Sequence, residues 1–492
     1  MLLRVRHSKK SGILLPLFSL PSKYGIGSLG LEAYNFVDFL KNAGQSYWQL
    51  LPLCPVGKAN SPYSSVSSFA GEILYIDLDF LVRDGLLKKE DIPVEFFPEK
   101  VDYKACRDFK IPLLKKAVKS FNKYDKDFLK FKEENEFWLR DYCIFMTLSE
   151  VFGTKNFRLW DKDYKYRNRV VLEEFCRQHK EKIDFFEITQ FLFYKQFFEL
   201  KAYANQNGIR LMGDIPFYVS YLSADVWSRP FCFKLGLDLT PVLVAGVPPD
   251  MFSKNGQLWG MPIYDWSFLK NNGYPFWRER LSFNCKLYNA LRIDHFRAFA
   301  DYYTIPFGAK TAREGSWQKG VGYDFFKELR PVLRDTEIIA EDLGEENENT
   351  ARLIKKTGFK DMRVLEFAFD SGKSDPFLPK NFGKKSVAYT GTHDNNTVIG
   401  WYKTASDSEK KLFKQLVPDI YSSHSLNLIS YALKSRAELV IIPLQDYLEL
   451  DETARINTPS TEKDNWCWRV EKDRLNNQTA ELIKKLTKNA KR

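Results

Sequence analysis

Eight short apolar runs punctuate the chain, at about 12–17, 47–53, 210–216, 290–295, 337–342, 362–368, 386–390 and 438–443. Polar or turn-forming residues bound each run, as expected of strands buried on both faces. Apolar residues recur at helical spacing over 325–334, 346–357, 407–416 and 425–435. Strand alternating with helix predicts a parallel sheet with right-handed crossovers, and eight units predict closure into a (β/α)8 barrel. The 492 residues far exceed the roughly 250 of a minimal barrel, so large insertions are expected after strands two and three. Residues 82–205, rich in Lys, Glu, Phe and Leu at helical spacing, read as a mainly helical insertion. Residues 218–288, rich in Pro, Gly, Trp and Tyr, read as a loop-rich one. The chain is thus expected to be one catalytic barrel over 1–492, with no separate C-terminal β domain.

Composition narrows the class. Hydrophobic residues make up 44% of the chain, enough for a large core, and no run of eighteen or more apolar residues points to a membrane span. Basic residues precede Gly12-Ile13-Leu14-Leu15-Pro16-Leu17-Phe18, an arrangement like that of a signal peptide. Pro16 interrupts the apolar stretch, however, and no small-residue cleavage site follows. A first barrel strand fits better, and a cytoplasmic location is expected. The seven scattered cysteines fit reduced thiols, not disulfides or a zinc site. A net charge of +11 raises nucleic-acid binding, but the lysines are interleaved with acids apart from the basic end 484–492, and no nucleic-acid motif or phosphate-cradling loop appears.

The chemistry lies at the ends of the runs. Arg292-Ile293-Asp294 closes the fourth, and alternation puts Arg292 and Asp294 on one face. Asp214 ends the third run, Glu341 and Asp342 end the fifth, and His393-Asp394 follows the seventh. In a parallel barrel these positions converge at one mouth. Metal binding is one use for such a cluster, but His295 and His393 lack a recognisable ligand spacing. Glycosidic bond cleavage fits better. It needs one ionised carboxylate to attack the anomeric carbon and one protonated carboxyl group to serve the leaving oxygen. Arg292 would keep Asp294 ionised, and a drier setting would raise Glu341. Asp342 alternates away from Glu341 and reads as structural.

The same residues resemble a known family. Trp48-Gln49-Leu50-Leu51-Pro52, Ser61-Pro62-Tyr63, Gly213-Asp214-Ile215-Pro216, Gly246-Val247-Pro248-Pro249-Asp250 and Gly256-Gln257-Leu258-Trp259-Gly260 are like motifs of the 4-α-glucanotransferases of amylomaltase type, glycoside hydrolase family seventy-seven. So are Arg292–Arg297, Ala340–Gly344, Thr390–Asn395 and Asn465–Arg469, in that order along nearly the whole chain. The resemblance implies that Asp294 is the nucleophile, Glu341 the general acid/base and Asp394 the transition-state stabiliser. It further implies that Tyr63, Asp214, Arg292 and His393 position the sugar and the nucleophile, with Tyr63 as a stacking platform. The stretch with Gln257 and Trp259 resembles the family's loop over the acceptor side, and Ser61, Asp370 and Asn465 are implied sugar-bonding residues. Glu72-Ile73, Met261, Ala298, Asn396, Ser460 and Asp464 depart from the family pattern, but none is one of the three acids.

The implied reaction is retaining double displacement, moving segments of an α-1,4-glucan or maltodextrin donor to the 4-hydroxyl of another glucan or glucose. It needs no cofactor or metal. The expected partners are therefore sugars, with neither nucleic acid nor membrane, and the protein is expected to be a monomer or weak dimer. A mainly hydrolytic α-glucan-cleaving enzyme and a non-catalytic glucan-binding barrel are the alternatives.

Overall fold

The structure is a computed structural model, and it describes residues 9–249, 254–344 and 347–492. Its strands in chain order are β1 (Lys10–Leu14), β2 (Tyr47–Gln49), β3 (Arg210–Ile215), β4 (Leu243–Val247), β5 (Gln257–Pro262), β6 (Ala290–Ile293), β7 (Asp301–Pro306), β8 (Ser316–Lys319), β9 (Glu337–Ala340), β10 (Asp361–Val364), β11 (Ser386–Tyr389) and β12 (Leu439–Pro443). Eight of them form a parallel sheet in the order β10-β11-β12-β1-β2-β3-β6-β9. The sheet curls until its two edges meet. Ala340 donates to the Lys360 carbonyl at 2.8 Å, and Lys360 to that of Ile338 at 3.1 Å. The eight expected runs therefore close into a barrel. Each strand is shorter than its apolar run, most of all β2, which ends at Gln49 ahead of Pro52, and β10, which gives way at Leu365 to a 3-10 turn.

Alternation along the strands fills the lumen. Leu14, Tyr47, Met212, Ala290, Ile339, Met362, Val387 and Leu439, one from each barrel strand, belong to a single buried cluster. Residues two positions further on share that face. They include Gln49, which accepts a bond from Tyr389 at 2.9 Å, as well as Asp214, Arg292 and Glu341. Charge closes the apolar lumen at both ends: at the N-terminal strand ends Glu337 pairs with Arg210 at 3.2 Å and Lys360 at 2.6 Å, and at the C-terminal ends stand Asp214, Arg292 and Glu341.

Between β2 and β3 lie the helices Tyr103–Ser120, Lys126–Glu134, Glu136–Val151, Arg169–Gln178 and Lys180–Gln206. The stretch read from sequence as loop-rich, 218–288, carries β4, β5 and the helix Pro275–Leu287. β4 and β5 join β7 and β8 in a separate antiparallel sheet ordered β5-β4-β7-β8. Leu243-Val244-Ala245 is an apolar run too short to stand out, and its partner β7 arrives only after the fourth barrel strand. Among the described residues no helix is long and apolar enough to cross a membrane.

Candidate active site

β3 and β6 are paired in register, with Asp214 opposite Arg292. Arg292 Nη1 reaches both Asp214 oxygens, at 2.9 and 2.7 Å, and Asp294 Oδ1 at 3.0 Å. One buried guanidinium therefore serves two carboxylates. Burial works against its charge, but Asp214 and Asp294 hold Arg292 well above its ordinary value. Burial raises the Asp214 carboxyl, and Arg292 and the Tyr63 hydroxyl, which donates to Asp214 Oδ2 at 2.8 Å, oppose the rise.

Glu341 follows β9, and its amide donates to the Ile293 carbonyl at 3.1 Å, placing it beside the end of β6. His295 N donates to Glu341 Oε2 at 2.6 Å and Leu343 N to Oε1 at 2.8 Å. Removal from water pushes Glu341 up to about 7. Arg292 pulls it down, and the nearby Asp294 carboxylate pushes it further up. Asp294 and Glu341 thus meet opposite settings, one against a guanidinium and the other in a drier pocket beside a like charge. Asp342 points elsewhere: it accepts from Met362 N at 3.0 Å and faces Arg363 at 3.6 Å.

The loop after β11 brings the third acid. His393 Nε2 lies 3.4 Å from Asp394 Oδ2, and the imidazole stacks on Tyr63 with centroids 5.1 Å apart and planes at 11°. Trp466 lies tilted against both rings. Two residues that the sequence reading missed hold Asp394. Asn457 Nδ2 donates to its Oδ1 at 2.6 Å, and Arg455 Nη2 to its carbonyl at 2.6 Å. The only available signal was Arg455-Ile456-Asn457, a polar–apolar–polar triplet like Arg292–Asp294.

The remaining predicted residues divide. Trp259 packs edge-on against His295 at 5.0 Å and donates to the Gln257 side chain at 3.1 Å, so the segment expected as a loop is strand β5, lying over the residue after Asp294. Ser61 caps the turn carrying Tyr63, accepting from Tyr63 N at 3.2 Å. Asn465 spends its amide within its own loop, on Thr458 and Thr461. Asp370 is exposed and faces Glu409, so the structure does not bring it to the acids. Asp250 lies outside the described residues. Of the departures, Glu72 is buried and accepts from Val56 N and Leu74 N. It supports the turn below the site.

An eight-stranded β/α barrel with acids gathered at its C-terminal mouth defines the architecture of a barrel glycoside hydrolase. The comparisons specify which. The 4-alpha-glucanotransferase family model, glycoside hydrolase family 77, matches residues 15–475. A 4-alpha-glucanotransferase of Clostridium butyricum is 42% identical over 480 residues, covering 96% of this chain and 98% of its own. That of Aquifex aeolicus is 43% identical over 483 residues, covering 97% and 98%. The amylomaltase of Streptococcus agalactiae in complex with acarbose superposes with a TM-score of 0.95 at 38% identity, covering 98% of this chain and 99% of that one. The chain belongs to the 4-alpha-glucanotransferase family.

Proposed function

We propose that this protein transfers α-1,4-glucan segments from a maltodextrin donor to the 4-hydroxyl of a second glucan or glucose. The observation that carries the roles is the contrast between two neighbouring strand ends. Asp294 is ion-paired by Arg292, whereas Glu341 is lifted to about 7. Asp294 attacks C1 while protonated Glu341 gives its proton to the departing oxygen, leaving a glycosyl ester on Asp294. Glu341, now a carboxylate, takes the proton of the incoming 4-hydroxyl as the ester is displaced. Asp394, fixed by Asn457 and Arg455, binds the sugar whose charge develops between these steps. Tyr63 on its His393 stack offers a platform, and Trp259 covers the acceptor side against water. Seven free thiols accord with a reducing, cytoplasmic setting.

The test is incubation with pure maltotriose, following both the product ladder and total reducing ends. Transfer gives products from glucose to long maltodextrins at constant reducing ends, lost in Asp294→Asn and Glu341→Gln. Steadily rising reducing ends would instead make the protein a hydrolase on the same machinery.

A further inference from the structure

Beyond the acids, a cleft of about 920 Å³ opens on the rim of the same barrel mouth. Its walls include Arg297, Asp301, Trp317, Lys319, Asn347 and Asn349. Arg297 is three residues after Asp294, so their Cα atoms are at most about 11 Å apart. Asn347 caps the N-terminus of the helix Glu348–Thr357, which follows β9. In a β/α barrel that end of the helix lies on the same side as the strand ends that carry the acids.

The lining has a definite chemistry. Trp317 is on β8, the edge strand of the antiparallel sheet, and is 42% exposed. It is nevertheless held in place. The Arg297 guanidinium lies 4.1 Å from its ring centroid, and Tyr303 meets it edge-on at 5.3 Å. Beside it Asp301 accepts from Arg297 Nε at 3.0 Å, Asn347 Nδ2 at 3.3 Å and Asn349 Nδ2 at 3.4 Å. Lys319 makes no ion pair among the described residues. A fixed, exposed indole beside a carboxylate, two amides and an ammonium is suited to a ligand with an apolar face and a rim of hydroxyls, each able to donate and accept. A sugar ring is such a ligand. A protein strand pairing along the β8 edge would not need the polar cluster beneath the ring.

We propose that this cleft is a second glucan-binding site that captures the distal part of long chains while their reacting end lies at Asp294 and Glu341. The inference rests on the glucan-transfer reading above. Its consequence is length discrimination: short maltodextrins occupy the mouth alone, and long ones span mouth and cleft, gaining affinity from Trp317.

The experiment compares wild type, Trp317→Ala and Trp317→Tyr on maltotriose and on a long-chain maltodextrin. Direct binding of the long chain is measured on Asp294→Asn with and without Trp317→Ala. The expected result for Trp317→Ala is a five- to tenfold rise in KM and Kd for the long chain. Its kinetics on maltotriose are unchanged, and Trp317→Tyr is largely restored. Equal long-chain KM in wild type and Trp317→Ala, with maltotriose still disproportionated, would overturn the second site and leave the transferase standing. Displacement of the long chain by inorganic phosphate, abolished by Lys319→Ala but not by Trp317→Ala, would make the cleft an anion site and also overturn the proposal. No redistribution of maltotriose by wild type would instead remove the transferase reading.

Discussion

The main-chain amide of His295 donates to Glu341 Oε2 at 2.6 Å, so the residue after one reacting carboxylate grips the other. His295 can do this because its backbone is left-handed, with φ 49° and ψ 44°. That turn aims its N–H across from the end of β6 to the end of β9. The imidazole takes no charge near neutrality, since burial pushes it down to about 4. The link between the acids is therefore a fixed dipole that does not itself titrate.

A pH profile follows from this arrangement. Glu341 must carry its proton to start the reaction, and its affinity for that proton is raised to about 7. With maltotriose, kcat/KM is expected to fall above about pH 7 as the free enzyme loses this proton. A profile flat to pH 9 would contradict Glu341 as the proton donor.

Removing the shared guanidinium isolates a buried charge. In Arg292→Ala, the Tyr63 hydroxyl is the one side-chain hydrogen-bond donor left to Asp214 among the described residues. Loss of one partner from a buried pair costs about 3–5 kcal/mol. Urea unfolding at neutral pH measures the change, and protonating Asp214 by acidification is expected to narrow the gap. A loss below about 1 kcal/mol would show that water already reaches Asp214.

Gly213 tests how tightly the strand end is positioned. A Cβ there would lie 2.2 Å from the Tyr288 ring. Gly213→Ala must therefore push β3, and Asp214 with it, off its register against Arg292. Overpacking of this kind costs about 1–3 kcal/mol, and kcat is expected to fall at least tenfold. Tyr288→Ala combined with Gly213→Ala is expected to recover part of both. A fully active Gly213→Ala would mean that Tyr288 moves away without disturbing the strand.

Most of the barrel was legible because its strands are runs buried on both faces, and an acid ending such a run stands out. Arg292 and Asp294 could be placed on one face from period-two alternation alone and Asp214 at the end of another strand, but the register that sets Asp214 opposite Arg292 comes only from the fold. The antiparallel sheet was not legible. Its strands come from two separate insertions, and β8 reads Ser-Trp-Gln-Lys with every residue exposed. Arg455 and Asn457 were missed for a similar reason: they lie in a loop without periodicity and are joined to Asp394 only by the fold. Asp370 shows the converse. Its motif suits a sugar contact, but the 3-10 turn Leu365–Phe369 leaves it on the outer surface beside Glu409.

Behind the loop bearing His393 and Asp394 lies a second pair of buried acids, Glu366 and Asp446. Burial and the Asp446 charge push Glu366 well above its ordinary value, with Arg455 and Asn395 opposing, and burial takes Asp446 to about 6. Asp446 accepts from Thr390 Oγ1 at 2.6 Å and Val398 N at 2.9 Å, while Glu366 Oε1 has no hydrogen-bond partner among the described residues. A carboxyl group held more tightly protonated in the folded chain than in the unfolded one destabilises the fold as pH rises. The unfolded chain releases its proton first, from about pH 4.3, and the penalty grows until the folded group also ionises. Glu366→Gln removes that penalty and keeps the shape. At pH 4 the variant and wild type are expected to be equally stable. Above about pH 5 the variant gains, by no more than about 1.4 kcal/mol per pH unit, until the folded wild-type group also ionises. Chemical denaturation at each pH measures the difference, and parallel stability curves would show that Glu366 is ionised in the folded protein, with Arg455 turned towards it instead of towards Asp394.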